Sequence, residues 1–190
     1  MSRLRLLATA SLVAVAAVSL SACADKSEPE RFAHNEGIYF DVGPMKYQVQ
    51  ITRQLNPAQV MDRELLQGVP AIQRVTKPDE LWFATFLRVE NLTSDPHVKA
   101  SRFIVRDTNG DVFRPIPVNP RANPFAYEAG PLLAGDAYPN INSIPGQTDI
   151  NGKMLLFKLP LNAIALRPLV LTVVSPTKPA TESGRVNLDI

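Results

Sequence analysis

Apolar and polar residues alternate along Tyr47-Gln-Val-Gln-Ile51-Thr, with Lys46, Gln48, Gln50 and Thr52 sharing one face. A period of two sends successive side chains to opposite faces, so this stretch predicts a half-buried β-strand with Ile51 inward and Thr52 outward. Trp82-Phe-Ala-Thr-Phe-Leu-Arg-Val-Glu90 opens as a continuous apolar run and ends alternating, the pattern of a central strand. In such a run Trp82 and Phe86 are expected to pack in the core rather than stack on a ligand. Segments 102–107 and 112–116 flank Thr108-Asn109-Gly110-Asp111. Asn-Gly tolerates positive φ at both positions, so these segments predict a β-hairpin. Three more strands are expected at 153–159, 169–174 and 185–190, with prolines 160, 168, 176 and 179 near their ends, where a missing N–H breaks no ladder.

Two stretches depart from this pattern. Asn56 as N-cap, Pro57 at the first helical position, Ala58, Met61 and Leu65 along one side, and Gly68 past the end predict a helix of about three turns. Residues 118–147 carry prolines at 120, 124, 131, 139 and 145 and no sustained periodicity. Loops longer than about fifteen residues are uncommon in compact domains and often functional. Phe125, Tyr127 and Tyr138 stand among these prolines and are the expected interaction surface, because aromatic side chains bury much area with few rotatable bonds. The competing expectation is that the rings fold back over an open face or end of the domain. Many short strands with one helix and one long Pro-rich loop indicate an all-β chain folded as an antiparallel two-sheet sandwich.

The first residues place this domain. Arg3 and Arg5 precede an uncharged apolar run from Leu6 to Leu20, and Ser21-Ala22-Cys23 follows, the layout of a secretory signal. The run is short and Ala-rich for a membrane span, which needs about 20 apolar residues. Leu20-Ser21-Ala22-Cys23 resembles the lipobox of bacterial lipoproteins, in which the cysteine sulfur takes diacylglycerol. Cys23 is the only cysteine in the chain, so no internal disulfide can form, and lipidation explains a lone thiol in an oxidising compartment. The expected organisation is a signal peptide at 1–22, lipidated Cys23 and a flexible tether at 23–37, and the sandwich at 38–190. A tether of that length has a random-coil span of roughly 20 Å, so the domain is expected close to the extracytoplasmic face of the cell membrane.

Charge narrows the partners. The chain has 20 basic and 18 acidic residues, and Arg3 and Arg5 leave with the signal peptide, so 18 face 18. That balance carries no footprint for nucleic acid, and no polybasic run follows Cys23 to draw anionic lipid.

Phe86-Leu-Arg-Val-Glu-Asn91, then Phe103-Ile-Val-Arg-Asp107-Thr-Asn-Gly110, Pro145-Gly146, Gly152 and Leu155-Leu-Phe157-Lys-Leu-Pro160 together resemble the telokin-like, immunoglobulin-type domain of unknown function found in secreted bacterial lipoproteins. The resemblance spans roughly residues 80 to 175. It implies an immunoglobulin-like sandwich and an envelope setting, and brings no catalytic residues.

Candidate chemistry is sparse. Asp107-Thr-Asn109-Gly110-Asp111 has the spacing that begins a calcium loop, yet the twelfth position, which needs a bidentate Glu, is Val118. His34 and His97 share no spacing suited to a zinc site. No Gly-x-Ser-x-Gly elbow supports a serine nucleophile. Glu128 and Asp136 could form an acid–base pair only if a loop fixed their separation. Asn91-Leu-Thr93 matches a glycosylation acceptor and is expected as a strand end. No metal and no cofactor is expected. The sequence favours a lipid-anchored, non-enzymatic binding module with a partner or ligand in the envelope, over an envelope hydrolase using the loop carboxylates or a purely structural spacer.

Overall fold

The computed structural model describes residues 29–177 and 182–189, so the expected signal segment and Cys23 lie outside the described residues. Among these the strands are β1 (Phe32–Ala33), β2 (Tyr39–Val42), β3 (Met45–Leu55), β4 (Glu80–Glu90), β5 (His97–Lys99), β6 (Arg102–Arg106), β7 (Val112–Phe113), β8 (Gly130–Leu132), β9 (Ala137–Tyr138), β10 (Lys153–Pro160), β11 (Leu169–Val174) and β12 (Gly184–Leu188), with one α-helix, α1 (Val60–Leu65). Sheet A has the order β1-β12-β11-β6-β7 and sheet B the order β10-β4-β3-β2, with β9 paired to the end of β4 and β5–β8 as a separate ribbon. The pairs are antiparallel except β1 with β12. The chain is an all-β two-sheet sandwich with one short helix.

β4 explains why its sequence is a continuous apolar run. Leu81, Phe83, Leu87 and Val89 point into the space between the sheets, where they meet Phe40, Tyr47, Phe157, Leu171 and Val186. Trp82, Ala84 and Phe86 point the other way and are equally buried, in a second cluster with Leu55, Leu65, Val69, Met154 and Leu156. Ile116, Val118 and Phe125 pack against that cluster. Residues expected as a loose loop thus join α1 as a third layer over the outer face of sheet B. Two isolated bridges, Ile116 to Leu156 and Ala126 to Met154, fasten the layer to the edge of β10.

The expected hairpin is present, but its second strand ends at Phe113 instead of 116, and Ile116 bridges to Leu156 of sheet B. Val105 pairs with Phe113 and Arg106 with Val112, Gly110 has φ +89°, and the Asp107 carboxylate accepts from the N–H groups of Asn109 and Asp111, both at 3.0 Å. The carboxylate proposed for a calcium loop is occupied in closing a turn.

Three expectations need correction. In β3 the register shifts between Val49 and Ile51, and a bulge reverses the alternation. Ile51 is therefore 40% exposed and Thr52 only 8%, the opposite of what a strict period of two gives. The helix is shorter than expected: α1 has 6 residues and begins after Gln59. Asn56 Oδ1 accepts from Ala58 N–H at 3.0 Å and so builds a preceding turn instead of capping the helix. The buried side of α1 is Asp62 and Leu65, while Met61 is 77% exposed. Asp62 accepts from Asn56 N–H at 2.8 Å and pairs with Arg53, and these polar bonds set the rotation of the helix.

Residues 30–36, expected within the tether, are instead bonded into the folded domain. Phe32 and Ala33 pair with Arg185 and Val186, and Ala33 is fully buried. The Glu36 carboxylate accepts from the N–H and hydroxyl of Thr52 and from Asp189 N–H, joining the N-terminal segment to the last strand. Burial raises the Glu36 pKa above the usual carboxylate range against the lowering effect of these bonds.

Candidate functional site

The three aromatic residues expected to meet a partner are part of the packing. Phe125 lies edge-on to Phe86, with centroids 6.5 Å apart. Tyr127 contacts Phe103 edge-on at 4.9 Å and Tyr138 at 5.6 Å, and both tyrosines pack against the inner core. The reason is the open side of the sandwich: β7 and β10 are edge strands of different sheets, and Tyr127 sits at this side, its N–H donating to Met154 C=O on β10 and its ring packed on Phe103 of β6. Its hydroxyl donates to Ala100 C=O at 2.9 Å, and Ala100 N–H donates to the Tyr47 hydroxyl at 2.7 Å. Two tyrosines thus satisfy both polar groups of a buried residue that no strand pairs. Burial pushes the Tyr47 pKa up to about 12 and raises that of Tyr127 well above the ordinary phenol value.

Beside these rings the fold gathers positive charge. The Lys99 and Lys153 ammonium groups lie 4.4 and 5.0 Å from the Tyr138 centroid. Lys99 donates to the carbonyls of Gly130 and Pro131, and Lys153 to that of Pro124. Burial lowers both lysine pKa values, and the nearby negative charge of Glu128 offsets part of the shift.

A cleft of about 460 Å³ opens along the same seam. Arg102 comes from the start of β6 and Arg114 from just past β7, where Arg114-Pro-Ile-Pro117 crosses from sheet A to the edge of sheet B. Pro115 and Pro117 cannot donate to a ladder, so β7 stops after Phe113 and the chain leaves the sheet. Ser101, Phe103, Ile116, Tyr127, Met154 and Leu155 contribute to the wall. No acidic residue lines it, and among the described residues neither arginine has an ion-pair partner. A second cleft, of about 390 Å³, contains Arg53, which Asp62 already neutralises. A third, of about 360 Å³, is lined by Val42, Pro44, Met45, Pro96, His97 and Val98 among others and has no basic residue other than the histidine.

The remaining sequence candidates are placed as follows. Glu128 and Asp136 are both exposed, and their backbones are in use: Glu128 N–H donates to the Tyr138 hydroxyl and Asp136 C=O accepts from Asn91 N–H. His34 stacks edge-on against Phe32, and His97 pairs with Leu132 in the β5–β8 ribbon. Among the described residues no group of three or more His, Cys, Asp and Glu could hold a metal ion. Asn91 is fully buried, and its amide donates to the carbonyls of Asp95, Leu132 and Leu133, so it has no free nitrogen to present for a glycan. The cleft arginines were missed because the edges forming the cleft lie far apart in sequence. The local signal was Arg114 set against two prolines directly after a hairpin.

A scan of protein-family models and a search of curated proteins give no match. Solved structures give similar chains at low identity. The YjhA protein of Bacillus subtilis is 15% identical, with a TM-score of 0.49 over 82% of this chain and 99% of that one. YcdA of Bacillus subtilis, described as a candidate lipoprotein, is 11% identical with a TM-score of 0.49 over 85% of this chain and 39% of that one. A β-sandwich protein of Clostridium difficile is 6% identical with a TM-score of 0.42 over 86% and 99%.

Proposed function

We propose that this protein is a lipid-anchored, non-catalytic binding module of the bacterial envelope, held through Cys23 and engaging its partner or ligand at the basic seam cleft. The observation that carries the binding role is the pair of arginines, without acidic neighbours, in a concave site built by strand edges. A guanidinium is always charged and presents a rigid fork of donors, and an unpaired fork in a cleft is suited to an incoming anionic group. The volume lies within the usual range for ligand sites, about 300 to 1,000 Å³. The lipobox resemblance and the telokin-like resemblance support the envelope setting.

Two measurements test this reading. Metabolic labelling with a fatty acid is expected to mark the wild type and not Cys23→Ser, because serine has no sulfur to alkylate. A photo-crosslinking residue in place of Ala129, exposed and lining the cleft, is expected to capture a discrete envelope component in living cells, and the same residue in place of Ile72, exposed and outside the cleft lining, is not. Equal labelling of Cys23→Ser rejects the anchor, and identical capture from both positions rejects the cleft as the contact.

A further inference from the structure

We infer that the seam cleft takes an acidic amphiphile, a molecule with one anionic head, carboxylate or phosphate, on an aliphatic chain. The inference rests on the reading of this cleft as a binding site and adds the chemistry of what it holds.

The lining combines polar donors with aliphatic side chains. Arg102, Arg114 and Ser101 supply donors for an anionic oxygen. Guanidinium groups bind carboxylate and phosphate through paired N–H bonds about twice as strong as neutral ones. Ile116, Val118, Met154 and Leu155 supply aliphatic wall. An inorganic anion would leave that wall in water, and a neutral alcohol would leave two guanidinium groups unpaired. A cationic amphiphile would meet Arg102 and Arg114 in the cleft and Lys99 and Lys153 beyond Tyr127 and Tyr138.

Position supports the same ligand. Arg102 pairs with Val174, and Phe32, Arg185, Thr172 and Ile104 are in register across sheet A. Counting back along these strands places Arg102 level with Glu30, three strand spacings away, about 14 Å. Only residues 24–29 lie between Cys23 and Glu30, a taut reach of roughly 20 Å. A lipid on Cys23 therefore keeps the cleft beside a bilayer, a source of acidic amphiphiles.

The test is calorimetric titration of the lipidated mature chain in nanodiscs of zwitterionic lipid, with the heat of empty discs subtracted. Octanoate and octyl phosphate are the probes, with octylamine and inorganic phosphate as controls. Saturable binding is expected for at least one acid, and binding of only one assigns the head as carboxylate or phosphate. Arg102→Gln with Arg114→Gln is expected to weaken binding about tenfold or more, and the two Arg→Lys changes to weaken it less than the Gln pair, since charge is retained while the paired N–H bonds are lost. The side chains are exposed, so an unchanged melting temperature shows that the variants fold. Failure of both acids to saturate, equal uptake of octylamine, or full binding by the double Gln variant overturns the proposal. Crosslinking through position 129 uses neither probe, keeps both arginines, and judges the binding reading separately.

Discussion

Strands β4 and β10 of sheet B are buried on both faces, and the two faces are buried by different means. Inside the sandwich, Phe83, Leu87 and Val89 meet the strands of sheet A, so one regular array of alternating side chains covers another. Outside, Trp82, Ala84 and Phe86 meet a six-residue helix and a segment with little regular structure. Regular strands satisfy their own backbone through the ladder, whereas an irregular layer must find other partners for its N–H and C=O groups. Asn123 is the largest such provision. Buried under the layer, its amide donates to the carbonyls of Leu65 and Gln67 at the end of α1, and its oxygen accepts from Phe125 N–H at 2.9 Å. Gly68 is the second: a Cβ there would come within 2.8 Å of Asn119 C=O, so only glycine admits the approach of the two segments. The inner core depends on apolar area, and the outer layer depends on a few polar residues to hold a smaller apolar area in place.

Aromatic truncations are therefore expected to differ by face. Phe157→Ala, in the inner core, is expected to cost about 3–5 kcal/mol, and Phe125→Ala, which loses a partly exposed ring, under about 2 kcal/mol. Urea unfolding of the two variants checks this, and equal losses would erase the distinction.

Asn123→Ala is expected to cost about 2–3 kcal/mol, because it strands two carbonyls and an N–H that water does not readily reach. The sharper reading is local: hydrogen exchange should quicken in α1 and residues 119–127 and leave β4, β11 and β12 near their wild-type rates. Uniform acceleration would mean that the two faces unfold as one unit.

Alkaline pH should act on the tyrosines at the open side of the inner core. The Tyr47 pKa is raised from 10.0 to about 12 in the folded protein, so the neutral phenol is favoured there. The resulting stability is fully present below pH 10 and is lost as pH rises from 10 towards 12, on the order of 2 kcal/mol from this residue. Tyr47→Phe, which has no phenol to ionise, is expected to be less stable at pH 8 and to lose less between pH 9 and 11. Parallel stability curves for the two proteins would reject a buried, neutral Tyr47.

The smallest effect belongs to the bulge. Ile51→Thr is expected to change stability by less than about 0.5 kcal/mol, since the side chain faces outward. A loss above about 1 kcal/mol would restore Ile51 to the core.

Most of the sandwich was legible in the sequence. β3, β4, β6, β7, β10, β11 and β12 were visible because alternation, long apolar runs and an Asn-Gly turn are local signals. β1, β5, β8 and β9 have two or three residues each and exist through long-range pairing, which leaves no period to read. Ile51 and Thr52 were assigned to the wrong faces because a bulge adds one residue without altering composition. The Pro-rich segment could be recognised as unusual, and Phe125, Tyr127 and Tyr138 as rings that would be buried somewhere. Whether they met a partner or their own sandwich depended on the gap between β7 and β10, and that gap is set by sheet topology. The same gap creates the arginine cleft, so the candidate site was hidden for the same reason.

The parallel joint between β1 and β12 governs how the domain would bear force. A pull on the N-terminal side of Phe32 acts along the strand axis, and the bonds joining β1 to β12, including Arg185 N–H to Arg31 C=O at 2.8 Å, are loaded in shear and share the strain. A hairpin pulled from its open end would instead lose its bonds in succession, like a zip. Behind this joint, Glu36 forms a second attachment to Thr52 and Asp189. Tension entering ahead of Phe32 would therefore divide between sheet A, through β12, and sheet B, through the bonds of Glu30 to Asp41 and of Glu36 to Thr52.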